Sequence, residues 1–489
     1  MKQVALASVQ ARWLVAASVL GSGIALLDGT VVNIALPAIG RELGAGMTAQ
    51  QWIIDGYLLT LSALLLNGGV AGDRYGRRRI FVAGLIVFTA ASLACGLAPS
   101  IGWLIGARLA QGIGAAALVP GSLALIDAGI VEADRGRAVG IWAGMSGVTT
   151  ALGPFIGGWL VDSASWRWVF YLNVPLAVAV AWIVARHVPE SRNPAASRGS
   201  DILGTAAVIV GLAGVSYALI EAPARGWTPV IVAAAVLGAA ALIAFPVIER
   251  RARSPLVPLE LFASRQFAGA NLMTLAVYTA IGGAFFLLVL QLQQSLHYSG
   301  LAAGVALLPT TVIMLFGSPW AGALAQRTGP RLPMTTGPLI AAGGLALMAR
   351  VVPGATYLGA VLPAVVVFGI GLAITVAPLT SAVLSAAPDT HAGTASGINN
   401  ALARIAGLLA VAVLPVAAGI CAGPGQPLGP GFSVAMLISA GLCVSGGIVA
   451  AATIRTGADV AHQVLPAINH ACQDPCTRGA AHVRDEAQS

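Results

Sequence analysis

Residues 69–79, GVAGDRYGRRR, return in worn form at 322–332 as GALAQRTGPRL, a constant 253 positions downstream. Gly69 matches Gly322, Arg74 matches Arg327, Gly76 matches Gly329 and Arg78 matches Arg331. Both copies join long apolar segments in a chain otherwise almost free of charge. A charged turn repeated between membrane spans is the mark of a chain built from two related halves, with its working site between them. The copies differ at Asp73, which becomes Gln326, so only the first keeps the acid.

Composition agrees with that reading. The 489 residues are 57% hydrophobic and 9% charged, against roughly 25% charged in a soluble domain. The expectation is an all-α integral membrane protein with fourteen spans, each near the ~20 residues that a ~30 Å hydrocarbon core requires. The spans fall at 13–37, 50–71, 79–98, 101–125, 137–161, 167–187, 201–221, 227–248, 267–290, 301–325, 333–350, 354–380, 394–421 and 431–454. They are continuous apolar runs, which excludes a barrel of alternating ten-residue strands. The repeat offset exceeds the roughly two hundred residues that six spans would give, so two spans are inserted between halves in a 6+2+6 order. The resulting division is 1–187 (first bundle), 188–266 (linker and inserted hairpin), 267–455 (second bundle) and 456–489 (a cytoplasmic tail without a domain).

The net charge of +8 reports topology, not a polyanionic ligand. With a cytoplasmic start, twenty of the 26 Lys and Arg residues lie on the inner side. Four lie outside (Arg41, Arg167, Arg225, Arg350), and Arg108 and Arg404 fall within spans. That asymmetry puts both termini in the cytoplasm. Twenty-five of the basic residues are Arg, which suggests a GC-rich bacterial genome and hence a bacterial cytoplasmic membrane. Cys472 and Cys476, near His462, His470 and His482, fit no common zinc spacing, so no metal is expected.

Ionisable groups within spans cost ~2.5–3.5 kcal/mol each on insertion scales and therefore need partners or a function. Asp28, Asp55, Arg108 and Arg404 are such groups. Counting ~1.5 Å per residue puts Asp28, Asp55 and Arg108 in one layer, ~8–10 Å below the outer boundary. An Asp–Arg–Asp cluster is expected, either as a structural ion pair or with Asp28 taking up and releasing a proton. Arg404 lies near the midplane beside Asn399 and Asn400, where it contacts substrate or backbone carbonyls. In the repeated loop, Gly69, Asp73, Arg74, Gly76 and Arg77 form an expected cytoplasmic latch. Asp73 would cap a neighbouring helix across the half interface, and Arg77 would pair with Asp127. Gly153, Pro154, Gly157 and Gly158 form an ordered GPFIGG segment that allows close helix approach and a bend, with Gly140, Gly144 and Gly147 upstream serving the same approach.

Together these stretches resemble the major facilitator superfamily, specifically its fourteen-helix drug/proton antiporter branch. LDGTVVNIALPAI (27–39) is similar to the first-helix motif, GVAGDRYGRRR to the loop motif, RLAQGIGAA (108–116) to the fourth-helix motif and GPFIGGWL (153–160) to the antiporter motif. Ala71 and Thr149 depart from the residues usual there. WRWVFYLNVP (166–175), PLVPLELFASRQF (255–267) and GTASGINNALAR (393–404) extend the match. The resemblance implies a major-facilitator-type fold, no catalytic centre and no cofactor. It implies proton-driven export of amphipathic small molecules (drugs, dyes, antibiotics, lipophilic cations), with protons as coupling ion and Asp28, Arg108 and Asp55 as coupling residues. A self-made antibiotic or siderophore is the alternative cargo; a membrane-embedded enzyme or a channel is the alternative class. Asn33, Trp142, Tyr278, Gln291, Asn399, Asn400 and Arg404 are the expected cavity residues. Partners are a small amphipathic substrate and the lipid bilayer, with no nucleic acid, and a single copy as the functional unit.

Overall fold

In lipid every backbone N–H must find its acceptor within its own segment, so continuous apolar runs fold as helices. The computed structural model describes residues 3–192, 201–252, 254–388, 392–420, 423 and 425–455; the tail and its Cys and His residues lie outside the described residues. Helices α1 (Val9–Leu43), α2 (Met47–Tyr75), α3 (Arg77–Gly96), α4 (Ile101–Gly129) and α5 (Glu132–Ser163) come first. A single turn, α6 (Trp168–Tyr171), leads into α7 (Asn173–His187). The hairpin α8 (Ile202–Arg225) and α9 (Pro229–Arg251) follows. Then come α10 (Arg265–Leu290), α11 (Gly300–Thr328), α12 (Arg331–Met348), α13 (Leu362–Ser385), α14 (Ala392–Ala417) and α15 (Gly431–Thr453).

Each expected span falls on helix, and no strand occurs among the described residues. Thirteen of the described helical segments are long and apolar enough to cross a membrane. The remaining expected span is α12, only 18 residues long. Its opening RLPMTTGP carries Arg, Pro and Thr within only 18 residues, which dilutes its apolarity.

The internal repeat is visible in the backbone. Gly76 ends α2 at φ 118° and Gly329 ends α11 at φ 82°, a left-handed region that favours glycine, and a new helix starts directly after each. Packing repeats as well: α2 and α3 both lie on α4, as α11 and α12 both lie on α13, and α1 lies on α5 as α10 lies on α14. The two sets meet along α5 with α11 and α2 with α14, and the α8–α9 hairpin leans on α2 and α14.

The seam is tight at one end, opposite the Arg-rich loops. There Gln51 Nε2 donates to the Val411 carbonyl at 2.6 Å and Gln293 Nε2 to the Ile34 carbonyl at 2.9 Å. The Asp162 carboxylate accepts from the Gly300 and Leu301 amides at 2.9 and 2.8 Å, so an acid at the end of α5 caps the positive N-terminus of α11. Backbones touch here. A Cβ on Gly158 would lie 2.4 Å from the Gly300 carbonyl oxygen, and one on Gly304 would lie 2.2 Å from that of Pro154.

At helical spacing, Gly147, Gly144 and Gly140 continue this same face of α5 toward the basic end. The expectation of close approach fails for these three, since a Cβ on any of them meets nothing within 4 Å. Along α5 the halves are therefore sealed at one end and parted at the other. Gly158→Val is expected to keep the sealed end from closing. Disulfide cross-linking between Ser163→Cys and Ala302→Cys, both exposed at that end, should fall severalfold in the variant; unchanged cross-linking would contradict the seam.

Candidate functional site

Asp28 and Arg108 meet in the interior, where both are at most 1% exposed. Arg108 Nη1 donates to Asp28 Oδ2. Asp28 Oδ1 accepts from Gln111 Nε2 at 2.8 Å and Asn173 Nδ2 at 3.0 Å. All three contacts to the Asp28 carboxyl are therefore made by N–H donors. Arg108 is held from several sides: Nε donates to the Ile53 carbonyl at 3.0 Å, Nη1 also reaches Gln111 Oε1 at 2.8 Å, and the Tyr57 ring lies 4.4 Å away. That separation suits a cation over an aromatic face. Ser92 completes the network, accepting from Asn173 Nδ2 at 2.9 Å and donating to the Phe170 carbonyl.

The local sequence explains this convergence. Gln111 is three residues after Arg108, on the same face of α4. Asn173 opens α7, and the Tyr57 hydroxyl donates to the Ala25 carbonyl one turn before Asp28, tying α2 to α1. Sequence reasoning missed Gln111, Asn173 and Ser92 as site members. The first two were quoted inside motifs, and their spacing was the available signal.

Asp55 does not join the cluster, contrary to expectation. It is 0% exposed, yet neither carboxylate oxygen has a hydrogen-bond partner among the described residues, because Arg108 Nε is directed at the carbonyl of Ile53 instead. Ile53 and Asp55 share the expected layer but lie about 200° apart around the helix, and depth alone does not decide which faces Arg108.

In the second half, Tyr278 of α10, Ser396, Asn399, Asn400 and Arg404 of α14 and Thr380 of α13 line a cavity of about 170 Å³. Asn399 Nδ2 donates to Asn271 Oδ1 at 3.1 Å and Thr274 Oγ1 at 2.7 Å, fixing α14 against α10. Arg404 makes no hydrogen bond or ion pair among the described residues, and its Nε is buried without an acceptor. Three expected cavity residues lie elsewhere. Gln291 is 1% exposed and spends its amide on the Val351 carbonyl and the Ser295 hydroxyl at the sealed end. Trp142 donates to Ser22 Oγ at 2.8 Å, bridging α5 and α1. Asn33 turns back to the Gly29 carbonyl at 3.0 Å, its Oδ1 unpaired.

The expected latch is rearranged. Arg77 Nε pairs with Asp73, one turn away, at 2.7 Å, and its Nη1 reaches the Ala124 carbonyl at 3.2 Å. Asp127 pairs with Arg135 at 3.1 Å instead. With the basic end parted, Asp73 caps no helix across the seam among the described residues. The partner missed there is Glu190, which accepts from the Arg78 and Arg79 amides at 3.1 and 3.2 Å. Arg74 lies over the Tyr75 ring at 5.0 Å, and Gly69 makes only ordinary contact with Pro120. In the glycine segment, a Cβ on Gly153 would meet Thr30 of α1 at 1.9 Å and one on Gly157 would meet Val31 at 3.0 Å. Gly153 and Gly157 thus bring α5 onto α1, while Gly158 and Pro154 bring it onto α11. Among the described residues, no group of three or more His, Cys, Asp or Glu side chains is placed to hold a metal.

Comparison with known proteins gives concordant matches. The family model described as Major Facilitator Superfamily matches residues 18–411. Puromycin resistance protein pur8 of Streptomyces alboniger is 38% identical over 393 residues, covering 80% of this chain and 78% of that protein. Multidrug resistance protein Stp of Mycobacterium tuberculosis is 36% identical over 81% of this chain and 73% of its own length. The tetracenomycin C resistance and export protein of Streptomyces glaucescens is 38% identical over 80% and 72%. Among solved structures, a bacterial homologue of the human lysosomal transporter Spinster, in an inward-facing and unoccupied conformation, aligns with a TM-score of 0.62. The alignment is 17% identical and covers 91% of this chain and 96% of that one, so it speaks to the fold alone.

Proposed function

The chain belongs to the major facilitator superfamily, and from that premise we propose that this multi-pass membrane transporter exports amphipathic small molecules in exchange for protons, by alternating access. Its relatives are antibiotic-resistance and export proteins, which supports outward movement of such compounds. Residues 1–187 and 267–455 are the bundles that rock, and 188–266 carries a hairpin that rides on their seam. Both termini face the cytoplasm, by the distribution of Arg residues. The open end then faces inward, so this conformation is the one that accepts cargo from the cell.

The observation that carries the coupling is the enclosed Asp28–Arg108 pair. In the inward-open state Asp28 is ionised and held by three donors. Once the far end opens, a proton from outside converts Asp28 to an acid, weakens its hold on Arg108 and favours return. Asp55 has a different setting: it is buried with no hydrogen-bond donor among the described residues, where Asp28 has three. Each inward proton at 100 mV supplies ~2.3 kcal/mol, enough for about fiftyfold accumulation from the potential alone.

Inverted vesicles from cells producing the protein, given an acidic lumen, should accumulate a fluorescent substrate dye and release it when the pH gradient is collapsed. Accumulation that survives the collapse would refute proton coupling. The likeness to antibiotic resistance and export proteins favours an antibiotic as cargo.

A further inference from the structure

Resting on that export reading, we infer that the cargo is an amphipathic organic anion whose charged oxygen docks on Arg404. Among the described residues, no side chain lining the cavity neutralises this guanidinium. Its Nε is buried without an acceptor, and leaving a charge partly dehydrated and unpaired is unfavourable unless a partner arrives. Around it the cavity offers Tyr278, Ser396 and Asn400, which are hydroxyl and amide groups able to donate, and no carboxylate among its described lining residues. The Asn399 amide is already spent on α10.

The acids elsewhere do not compensate. Asp28 is 1% exposed and taken by Arg108, and Asp55 is 0% exposed. At the basic end, Asp73 and Asp127 are paired with Arg77 and Arg135. A lipophilic cation reaching the cavity would meet an uncompensated positive charge with no carboxylate among the described lining residues; an anion would meet the reverse. The planar guanidinium fork also suits a carboxylate or phenolate, which it binds through paired N–H donors. At about 170 Å³ the cavity is smaller than the space a whole drug-sized molecule fills. It takes the acidic head, and the apolar body extends into the gap between the halves. The inference departs from the lipophilic cations that the family resemblance admits.

The test uses the full-length protein in detergent and two dyes with the same xanthene body, fluorescein as anion at mildly alkaline pH and rhodamine 123 as cation. Equilibrium binding is read by fluorescence anisotropy with no gradient present. Fluorescein should bind about tenfold or more tightly than rhodamine 123. Arg404→Gln should remove that advantage, and Arg404→Lys, which keeps the charge but not the fork, should retain part of it. Thermal unfolding of each variant establishes that it is folded. Weaker binding of fluorescein than of rhodamine 123, no binding of fluorescein, or an unchanged affinity in folded Arg404→Gln overturns the inference. Should the anion bind as stated yet fail to move with an imposed pH gradient, the charge preference stands and the proton-driven reading fails.

Discussion

Proteoliposomes carrying Asp28→Asn are expected to show no export above the rate seen without a pH gradient, while binding of cargo at equilibrium is retained. The asymmetry follows from where Asp28 sits. It lies in the first half, enclosed by α1, α4 and α7, and is absent from the cavity around Arg404. An amide neither takes up nor releases a proton in this range, so the coupling step disappears. It also misfits its neighbours. With its oxygen toward Arg108, its NH2 would confront the Gln111 and Asn173 amides, both of which now donate to Asp28 Oδ1. Asp28→Glu keeps a titrating carboxyl but adds a methylene to a site with no spare room, and should retain a small fraction of the gradient-driven rate. Full export by the Asn variant would remove Asp28 from the mechanism and leave Asp55 as the other buried acid of the first bundle to test.

What the sequence made legible follows from what spacing measures. Helical rise gives depth, and depth was enough to bring Asp28 and Arg108 together, because each is the one ionisable residue of its span. The repeat was enough to place Gly76 and Gly329 at equivalent helix ends. Depth gives no azimuth, though, and Asp55 fell to the side of Arg108 that the backbone carbonyl of Ile53 did not. Arg77 offers a second lesson. A partner one turn away, Asp73, is held near at no cost in loop closure, and it outcompeted Asp127 from another helix. Polar neutral residues were the main omission. Gln111, Asn173 and Ser92 satisfy the remaining hydrogen bonds of the ion pair, and such partners are required wherever charge is buried. Gln291 misled in the opposite way: an amide in a span suggested a ligand, but its task is to satisfy a loop carbonyl. Glycines divided by neighbour. Those at 153, 157 and 158 face backbone or β-branched residues on α1 and α11, whereas those at 140, 144 and 147 face the opening.

Removing the other member of the pair should act first on stability. Arg108 is the largest side chain that is fully enclosed, and Arg108→Ala would leave Asp28 with two amide donors but no counter-charge, in a cavity the size of a guanidinium. Breaking a buried pair by deleting one partner costs about 3–5 kcal/mol. The variant should therefore unfold at markedly lower temperature in detergent. Arg108→Lys keeps the charge, yet a point-like ammonium cannot reach Asp28, Gln111 and the Ile53 carbonyl together, so a smaller loss of about 1–3 kcal/mol is expected. The double variant Asp28→Asn/Arg108→Gln carries no buried charge and should recover much of the stability lost by either charge-removing single variant, because the stranded ion accounts for most of the penalty. It should nevertheless remain unable to use a pH gradient. Thermal unfolding and gradient-driven export, measured on all four proteins, separate the two roles: stability returns when both charges leave, and coupling does not. If Arg108→Ala unfolds like the wild type, the carboxylate is neutral in this conformation and the proton is already aboard. The inward-open state would then be the one that releases protons to the cytoplasm, instead of the one that has already done so.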